Sequence, residues 1–185
     1  MKVLIISDSH MYDDILIHIL KHIQCDCIVH CGDSVFESDN PLLKKMYVVR
    51  GNHDLLYLPI NQSFNIEGYK CLITHGHYFH IYEGYDELYE YMKEKEFDIC
   101  FHGHTHVPHI EYVHEKLMIN PGSIMFNRGN TECGSFAVAE IQDGCINVKF
   151  YNSQTFQQIP QQIIDNGQSI LDEFKKLVKQ YNNKL

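Results

Sequence analysis

Short apolar runs alternate with amphipathic stretches through the first part of the chain. The runs are rich in β-branched residues, which is typical of buried strands. Residues 13–24 and 83–95 instead place apolar side chains on one helical face. The predicted strands are residues 2–7, 27–31, 46–50, 70–74 and 98–102. Because strands alternate with helices here, the pattern predicts an α/β arrangement.

The second part of the chain predicts mostly antiparallel strands and a closing helix. Its strand-like runs are residues 110–114, 117–120, 135–141, 145–151 and 154–159. Asp143-Gly144, between two of these runs, is a hairpin signal. Near the end, helical spacing of apolar residues predicts a packed helix that uses Ile170, Leu171, Phe174, Leu177, Val178 and Tyr181. An α/β opening followed by antiparallel strands favours two sheets over one.

Composition is typical of a globular protein. A chain of 185 residues with 44% hydrophobic and 21% charged residues predicts one domain over residues 1–185. The apolar runs are too short to span a membrane, and the first run ends at Asp8, which indicates a strand and not a signal peptide. The seven cysteines form no paired framework. We therefore expect reduced thiols and a cytoplasmic location.

The charge of the chain limits its possible partners. With 24 acidic and 15 basic residues, the formal net charge is −9. A nucleic-acid polymer is not expected as a partner, because binding one requires basic surface that replaces counterions. A small phosphorylated ligand remains compatible, since bound divalent cations can reverse the local field.

Polar clusters follow five of the predicted strands. They are Asp8-Ser9-His10, Gly32-Asp33, Gly51-Asn52-His53-Asp54, His75-Gly76-His77 and His102-Gly103-His104-Thr105-His106. In open α/β sheets, ligands bind beyond the carboxyl ends of the strands. If the five strands share one sheet, all five clusters lie at one edge. Any one of these histidines could be an ordinary surface or core residue; the repetition at the same place after each strand favours a binding site.

The clusters supply seven oxygen and nitrogen donors. They are Asp8, His10, Asp33, Asn52, His75, His104 and His106. A structural zinc site uses about four ligands and favours cysteine, so seven donors without a thiolate fit two divalent ions better. A shared carboxylate would bridge the two ions, and Asp33 is the natural candidate. Imidazole and carboxylate ligands suit Mn, Fe, Zn, Co or Ni, which leaves the metal open.

Other histidines have simpler interpretations. His18 and His22 are four residues apart but lack the glutamate of a zinc-protease helix, so we expect a solvated face. His30 and His102 lie in or at the end of strands, where hydrogen bonding in the core is expected. His77 could reach a substrate, although a packing role is favoured. Residues 120–123, Asn-Pro-Gly-Ser, predict a turn that could close the site.

The ordered motifs D-x-H, GD, GNHD, HGH and GHTH resemble those of the calcineurin-like metallophosphoesterases. The short chain and the Asn120–Ser123 turn resemble the small YfcE-type phosphodiesterase branch of that superfamily, over nearly the whole length. The resemblance implies a four-layer α-β-β-α sandwich, an α/β (α+β) fold with two mixed β-sheets flanked by helices. It agrees with the two sheets that the hydrophobic pattern favours.

The resemblance also implies a role for each motif residue. One metal ion would be held by Asp8, His10, Asp33 and His106, and the other by Asp33, Asn52, His75 and His104. Manganese is favoured for both, with Ni, Zn, Fe and Co as alternatives. His53 would contact the phosphoryl group and assist the leaving group. Asp54 would orient His53 by accepting a hydrogen bond from its other ring nitrogen.

The implied activity is hydrolysis of a small phosphodiester by in-line attack of a metal-bridging hydroxide. Three alternatives stay open: a phosphomonoesterase, a metal-storage or metal-sensing protein, and a protein-interaction scaffold like a eukaryotic retromer subunit that resembles the same fold. A scaffold could lose the metal ligands and His53 without cost. No membrane partner is expected, and a homodimer or higher homo-oligomer is plausible from exposed strands and tyrosines in the second half.

Overall fold

Two mixed five-stranded sheets form the centre of the computed structural model, which describes residues 1–129 and 132–182. The first sheet has the order β10-β9-β1-β2-β3. Its strands are β1 (Lys2–Ile6), β2 (Cys27–His30), β3 (Tyr47–Val48), β9 (Ser135–Gln142) and β10 (Cys145–Asn152). Strands β1, β2 and β3 are parallel, and β9 pairs antiparallel with β1.

The second sheet has the order β4-β5-β6-β8-β7. Its strands are β4 (Asn61–Ile66), β5 (Tyr69–Thr74), β6 (Ile99–Phe101), β7 (His109–Val113) and β8 (Lys116–Asn120). The three central strands β5, β6 and β8 are parallel, and β4 and β7 pair antiparallel at the two sides. Each sheet therefore has parallel strands that end at a common edge.

Alternating residues of β1 show how the layers pack. Val3 and Ile5 point into the core between the sheets, where Ile73 and Phe101 of the second sheet meet them. Leu4 and Ile6 point the other way, toward helix α1 (Asp13–His22). A strand that is buried on both faces must be apolar at every position, which explains the unbroken run at the start of the chain.

The helices cover the outer faces of the two sheets. Helix α1 packs on the first sheet through Leu16 and Ile19. Helix α2 (Asp86–Glu94) packs on the second sheet through Leu88 and Met92. Helix α3 (Gln161–Asn182) lies against β7. The predicted four-layer α-β-β-α arrangement is confirmed.

The five predicted strands with polar ends are divided between the two sheets, in agreement with the preference for two sheets over one. β1, β2 and β3 belong to the first sheet, whereas β5 and β6 belong to the second. Long-range pairing decided this: β9, from late in the chain, pairs with β1, and β5 pairs with β4 and β6. The five strand ends still meet, because the parallel strands of both sheets end on the same side of the sandwich.

One strand was not predicted from the sequence, and one predicted strand is reduced to a single bridge. Residues 61–66 form β4 although Asn61, Gln62, Ser63 and Asn65 make the segment mostly polar. The strand exists because β5 offers a complete antiparallel partner. Residues 154–159, predicted as a strand, make a single bridge between Tyr151 and Gln158.

Helix α3 packs through only part of the predicted face, since Leu171 is buried as predicted but four other residues of that face are not. Ile170, Phe174, Leu177 and Tyr181 are exposed, whereas Ile164, Gly167, Leu171 and Lys175 are buried. Gly167 permits this close approach, because a Cβ there would lie 3.0 Å from the carbonyl oxygen of Gly129. Neither this 22-residue helix nor any other in the described part of the chain is apolar enough to cross a membrane.

Candidate metal centre

Loops from both sheets are joined by hydrogen bonds where the parallel strands end. The His75 ring nitrogen Nδ1 lies 2.7 Å from the carbonyl oxygen of Cys31, which links the end of β5 to the end of β2. The amide of His104 donates to Asp8 Oδ2 at 3.2 Å, which links the loop after β6 to the loop after β1. These cross-sheet contacts hold the polar clusters of the sequence at one place.

Several of the predicted ligands have left-handed backbone conformations. The φ angles are 53° at Asp8, 44° at His10, 54° at Asp33, 70° at His104 and 57° at His106. Each such conformation of a residue other than glycine costs about 1–3 kcal/mol and persists only where the surroundings impose it. Five of the seven predicted ligands share this conformation, which indicates that their loops are shaped to direct these side chains.

Three groups of possible ligands have donor atoms within 4.8 Å of one another. The groups are Asp8 with His10 and His106, His10 with Asp33 and His53, and Asp8 with Asp33 and His75. Two further predicted ligands lie beside His75. The Oδ1 of Asn52 is 3.2 Å from the His75 Nε2 atom, and the ring of His104 is 5.0 Å from the His75 ring. The structure therefore brings all seven predicted ligands into one region, with His104 outside the three compact groups.

Asp33 lies between the histidines of this region. Its Oδ2 atom is 2.7 Å from His53 Nδ1, 3.4 Å from His75 Nε2 and 3.9 Å from His10 Nε2. Its Oδ1 atom accepts a hydrogen bond from the backbone of His53 at 2.8 Å. Desolvation alone would raise the pKa of Asp33, but hydrogen bonding and charge from His75 and His53 outweigh it and hold the pKa well below its usual range. The carboxylate is ionised, with one oxygen directed toward several nitrogen donors.

Gly51 explains why the Asn52 loop can approach Asp33 so closely. A Cβ atom at position 51 would collide with the Asp33 carboxylate and its backbone nitrogen. Glycine at this position therefore lets the GNHD loop lie directly against the loop after β2.

Asp8 supplies a test of whether the site fits a cation. The residue is fully buried, and its Oδ2 atom accepts hydrogen bonds from Ser7 Oγ and from the His104 amide. Its buried Oδ1 atom has no hydrogen-bond partner in the described part of the chain, although His106 Nε2 lies 3.0 Å away. A buried carboxylate oxygen without a donor is costly unless a cation compensates it. This donor set fits a divalent metal ion.

The imidazoles also have suitable electrostatics. Burial lowers the pKa of His10 below its ordinary value and that of His104 to about 4. Both rings are therefore neutral near pH 7, which is the form that binds metals. Desolvation would likewise lower the pKa of His75, but the carboxylates of Asp8 and Asp33 outweigh it and raise that pKa. The two carboxylates thus attract positive charge to the His75 position.

Asp54 does not make its expected contact with His53. Its Oδ2 atom accepts hydrogen bonds from the backbone amides of Asp33 at 2.7 Å and Gly51 at 2.8 Å. Its Oδ1 atom accepts from Ser34 Oγ at 3.0 Å and from the Val35 amide at 2.6 Å. The expected contact was wrong because four donors of the two loops already occupy the carboxylate. Asp54 instead joins the loop after β2 to the GNHD loop.

The substitution Asp54→Asn should separate this structural role from a catalytic one. An amide nitrogen would face backbone N–H donors in place of a carboxylate oxygen, so the two loops should separate. We expect metal affinity to fall by about 10–100-fold, as for other groups that support metal ligands. Titration of metal-free protein with Mn²⁺ measures this, and Asp39→Asn is the control because Asp39 is exposed in the same part of the chain. Unchanged affinity in Asp54→Asn would contradict the role.

The Asn120–Ser123 turn holds two of the ligand loops in place. The Asn120 side-chain amide donates to the carbonyl oxygen of Gly103 at 2.8 Å and to Thr105 Oγ1 at 3.0 Å. The Ser123 hydroxyl donates to the backbone oxygen of Asp8 at 2.9 Å. The sequence predicted a turn near the site, but these partners could not be identified from it because they lie far away along the chain.

Two histidines at strand ends form hydrogen bonds in the core, as predicted. His30 is buried, with its Nε2 atom 3.0 Å from Ser9 Oγ. His102 is buried, with its Nε2 atom 2.9 Å from the Tyr85 hydroxyl. His77 is half-buried beside the predicted ligands, and its ring lies 5.3 Å from the His75 ring.

Comparison with known families identifies the family of this chain. The profile of the calcineurin-like phosphoesterase superfamily domain matches residues 1–144, which contain every motif residue described above. The chain belongs to the calcineurin-like phosphoesterase superfamily. Among relatives, it is 37% identical over 156 residues to the probable metallophosphoesterase YsnB of Bacillus subtilis, covering 82% of this chain and 91% of that protein. It is 34% identical over 104 residues to the phosphodiesterase YfcE of Escherichia coli, covering 51% and 53%.

Solved structures of this phosphoesterase fold agree. A predicted phosphoesterase from Streptococcus pneumoniae superposes with a TM-score of 0.78 at 30% identity, covering 86% of this chain and 92% of that one. Vps29 of Entamoeba histolytica complexed with Zn²⁺ superposes with a TM-score of 0.71 at 22% identity, covering 86% and 96%. At that identity, the likeness to Vps29 shows the fold alone. Membership of the superfamily supports a metal-dependent hydrolase.

Proposed function

We propose that the protein is a phosphodiesterase that depends on two divalent metal ions. The observation that carries this proposal is the position of Asp33, whose carboxylate lies among the donors His10, His53 and His75. A carboxylate shared by two metal sites is the usual centre of such a pair. The phosphodiesterase names of relatives such as YfcE support the diester preference.

Asp8, His10, Asp33 and His106 would hold one ion, and Asp33, Asn52, His75 and His104 would hold the other. Two such ions would lower the pKa of a bound water and neutralise charge on the phosphoryl oxygens. Manganese is favoured for both, and the oxygen and nitrogen donors also accept Ni, Zn, Fe or Co. The residues supply no thiolate, which agrees with a catalytic site and not a structural zinc site.

His53 would act on the leaving group. Its side chain is 61% exposed, so it can meet a substrate at the mouth of the site. Its Nδ1 atom lies 2.7 Å from Asp33 Oδ2 and 2.9 Å from Asn52 Nδ2. An Nδ1–H that donates to the Asp33 carboxylate would hold the ring in place and leave Nε2 to give a proton to the departing oxygen. General acid catalysis of this kind contributes about 10²–10⁴-fold to the rate.

Removal and restoration of metal test the proposal. Protein stripped with a chelator should be inactive toward bis(p-nitrophenyl) phosphate. Without metal, the attacking water would not be activated and the charge on the phosphoryl oxygens would not be neutralised. Addition of Mn²⁺ should restore hydrolysis, with about two ions bound per chain by elemental analysis, as expected for a two-metal site. Ni²⁺, Zn²⁺, Co²⁺ and Mg²⁺ should be compared in the same assay.

The outcomes separate the alternatives. Faster hydrolysis of p-nitrophenyl phosphate than of the diester would assign a phosphomonoesterase. Two tightly bound ions without hydrolysis of either ester would contradict the enzyme proposal and favour the protein-interaction scaffold that the sequence leaves open. Chelator-treated protein should keep its far-ultraviolet circular dichroism, which excludes unfolding as the cause of lost activity.

A further inference from the structure

Both arginines of the chain lie beside the candidate metal centre. Arg50 directly precedes the GNHD loop, and Arg128 follows the Asn120–Ser123 turn. The backbone amide of Arg128 donates to the carbonyl oxygen of His106 at 2.7 Å, so this residue is anchored to the last ligand loop. The chain is acidic overall, with 24 acidic residues, so two arginines beside the site give it a local positive charge.

A tyrosine hydroxyl positions each guanidinium group. Arg50 Nη2 donates to the Tyr78 hydroxyl at 2.8 Å, and its guanidinium carbon lies 5.8 Å from the centre of that ring. Arg128 Nη1 donates to the Tyr82 hydroxyl at 2.5 Å. Both tyrosines come from the single segment between β5 and α2. A guanidinium group has five N–H donors, so one bond to a tyrosine leaves others for a ligand.

Neither arginine is neutralised by a carboxylate among residues 1–129 and 132–182. Every ion pair described there uses a lysine, a histidine or the N-terminal amine. Lys175 and Lys179, for example, pair with Glu111 and Asp86. Each guanidinium group is thus hydrogen-bonded to a neutral hydroxyl. Its positive charge stays available to attract an external anion.

Both tyrosines approach the metal centre on the side of His104. The Tyr82 ring lies edge-on to the His104 ring at 5.0 Å, and its hydroxyl donates to the His104 carbonyl oxygen at 3.1 Å. The Tyr78 ring lies 4.0 Å from the His77 ring, which is 6.0 Å from the His104 ring. Through Tyr78, Arg50 therefore lies near His77, and through Tyr82, Arg128 lies near His104.

The geometry points to a second anion subsite, formed by Arg50 with Tyr78 and by Arg128 with Tyr82, that selects phosphate esters carrying another phosphate group. This inference rests on the proposed function, since the metal centre would bind the reacting phosphoryl group. The second phosphate would take the free guanidinium N–H donors in a bidentate manner. The substrate class is then a small molecule with at least two phosphate groups.

Calorimetric binding to the full chain in buffer with Mn²⁺ tests the subsite without requiring turnover. The probes are methyl phosphate, methylenediphosphonate and propane-1,3-diol bisphosphate. They differ in whether a second phosphate or phosphonate group is present and in its distance from the first. At least one two-phosphate ligand should bind about tenfold or more tightly than methyl phosphate, as expected for charge-assisted hydrogen bonds. Arg128→Gln should reduce the ratio of two-phosphate affinity to methyl phosphate affinity to near one, and Arg50→Gln should reduce that ratio partly.

Matched variants exclude a general charge effect. Lys149→Gln removes one positive charge from an exposed position on β10 and should retain the full ratio. Tyr82→Phe keeps the Arg128 charge but removes its anchor, so an intermediate ratio is expected. Equal binding of all three probes, or an unchanged ratio in both arginine variants, would overturn the subsite. The proposed function would fail separately, through the absence of diester hydrolysis by the Mn²⁺-loaded wild-type protein.

Discussion

Asp33→Asn should remove at least one of the two metal ions and nearly all activity. The amide cannot carry the negative charge that a bridging ligand supplies, and its nitrogen would face the histidine nitrogens around Oδ2. We expect fewer than two ions per chain and a loss of diester hydrolysis of at least about 10⁴-fold, the upper limit for acid–base catalysis alone. Elemental analysis and steady-state kinetics with Mn²⁺ measure the two effects.

Asp39→Asn is the control for this loss, since it removes an exposed carboxylate from the same segment. It should keep both ions and full activity. Asp33→Asn should also fold, because its Oδ1 atom can still accept from the His53 amide. Full activity with two bound ions in Asp33→Asn would show that the bridge is assigned to the wrong residue.

His53→Gln should abolish most activity while both ions stay bound. In the proposed mechanism, the ring gives a proton to the leaving group and does not hold metal. We expect kcat to fall by about 10²–10⁴-fold for a diester with an alkoxide leaving group. For p-nitrophenolate, a stable anion, the loss should be much smaller. Comparing the two leaving groups at constant metal content tests this role.

A different outcome would identify a different role. An equal loss with both leaving groups would contradict proton donation and assign His53 to phosphoryl binding. Loss of a metal ion would instead make His53 a metal ligand. The metal content must therefore be measured, because His53 lies in one group of possible ligands with His10 and Asp33. His18→Gln, an exposed histidine of α1, should match the wild type in every assay.

The family and the residue types that gather at the candidate site could be predicted from the sequence. Each motif is local: a β-branched run ends, and the next few residues carry a carboxylate, an amide or an imidazole. The strand preference and the ligand type are both properties of neighbouring residues, so they appear in the sequence. The structure brings Asp8, Asp33 and His75 within 4.8 Å of one another, although they come from three separate motifs.

The partners of individual side chains could not be predicted. The sequence placed Asp54 beside His53, its covalent neighbour, whereas its hydrogen bonds go to Asp33, Ser34, Val35 and Gly51. The pairs of Arg50 with Tyr78 and of Arg128 with Tyr82 join residues that are 28 and 46 positions apart. No local pattern marks such contacts, because loop packing and not backbone preference brings the residues together.

Sheet membership and helix orientation were likewise decided by long-range packing. A single α/β sheet and two stacked sheets require the same apolar strands, and only the pairing of β1 with β9 and of β4 with β5 separates them. On α3, an apolar face with Phe174 and Leu177 competes with a narrower face around Gly167 that fits closely against Gly129. The helix packs through the face around Gly167, where the two backbones fit closely. The sequence by itself thus determined the family and the order of the candidate ligands along the chain, and the tertiary structure determined which of them meet, since that depends on contacts between distant residues.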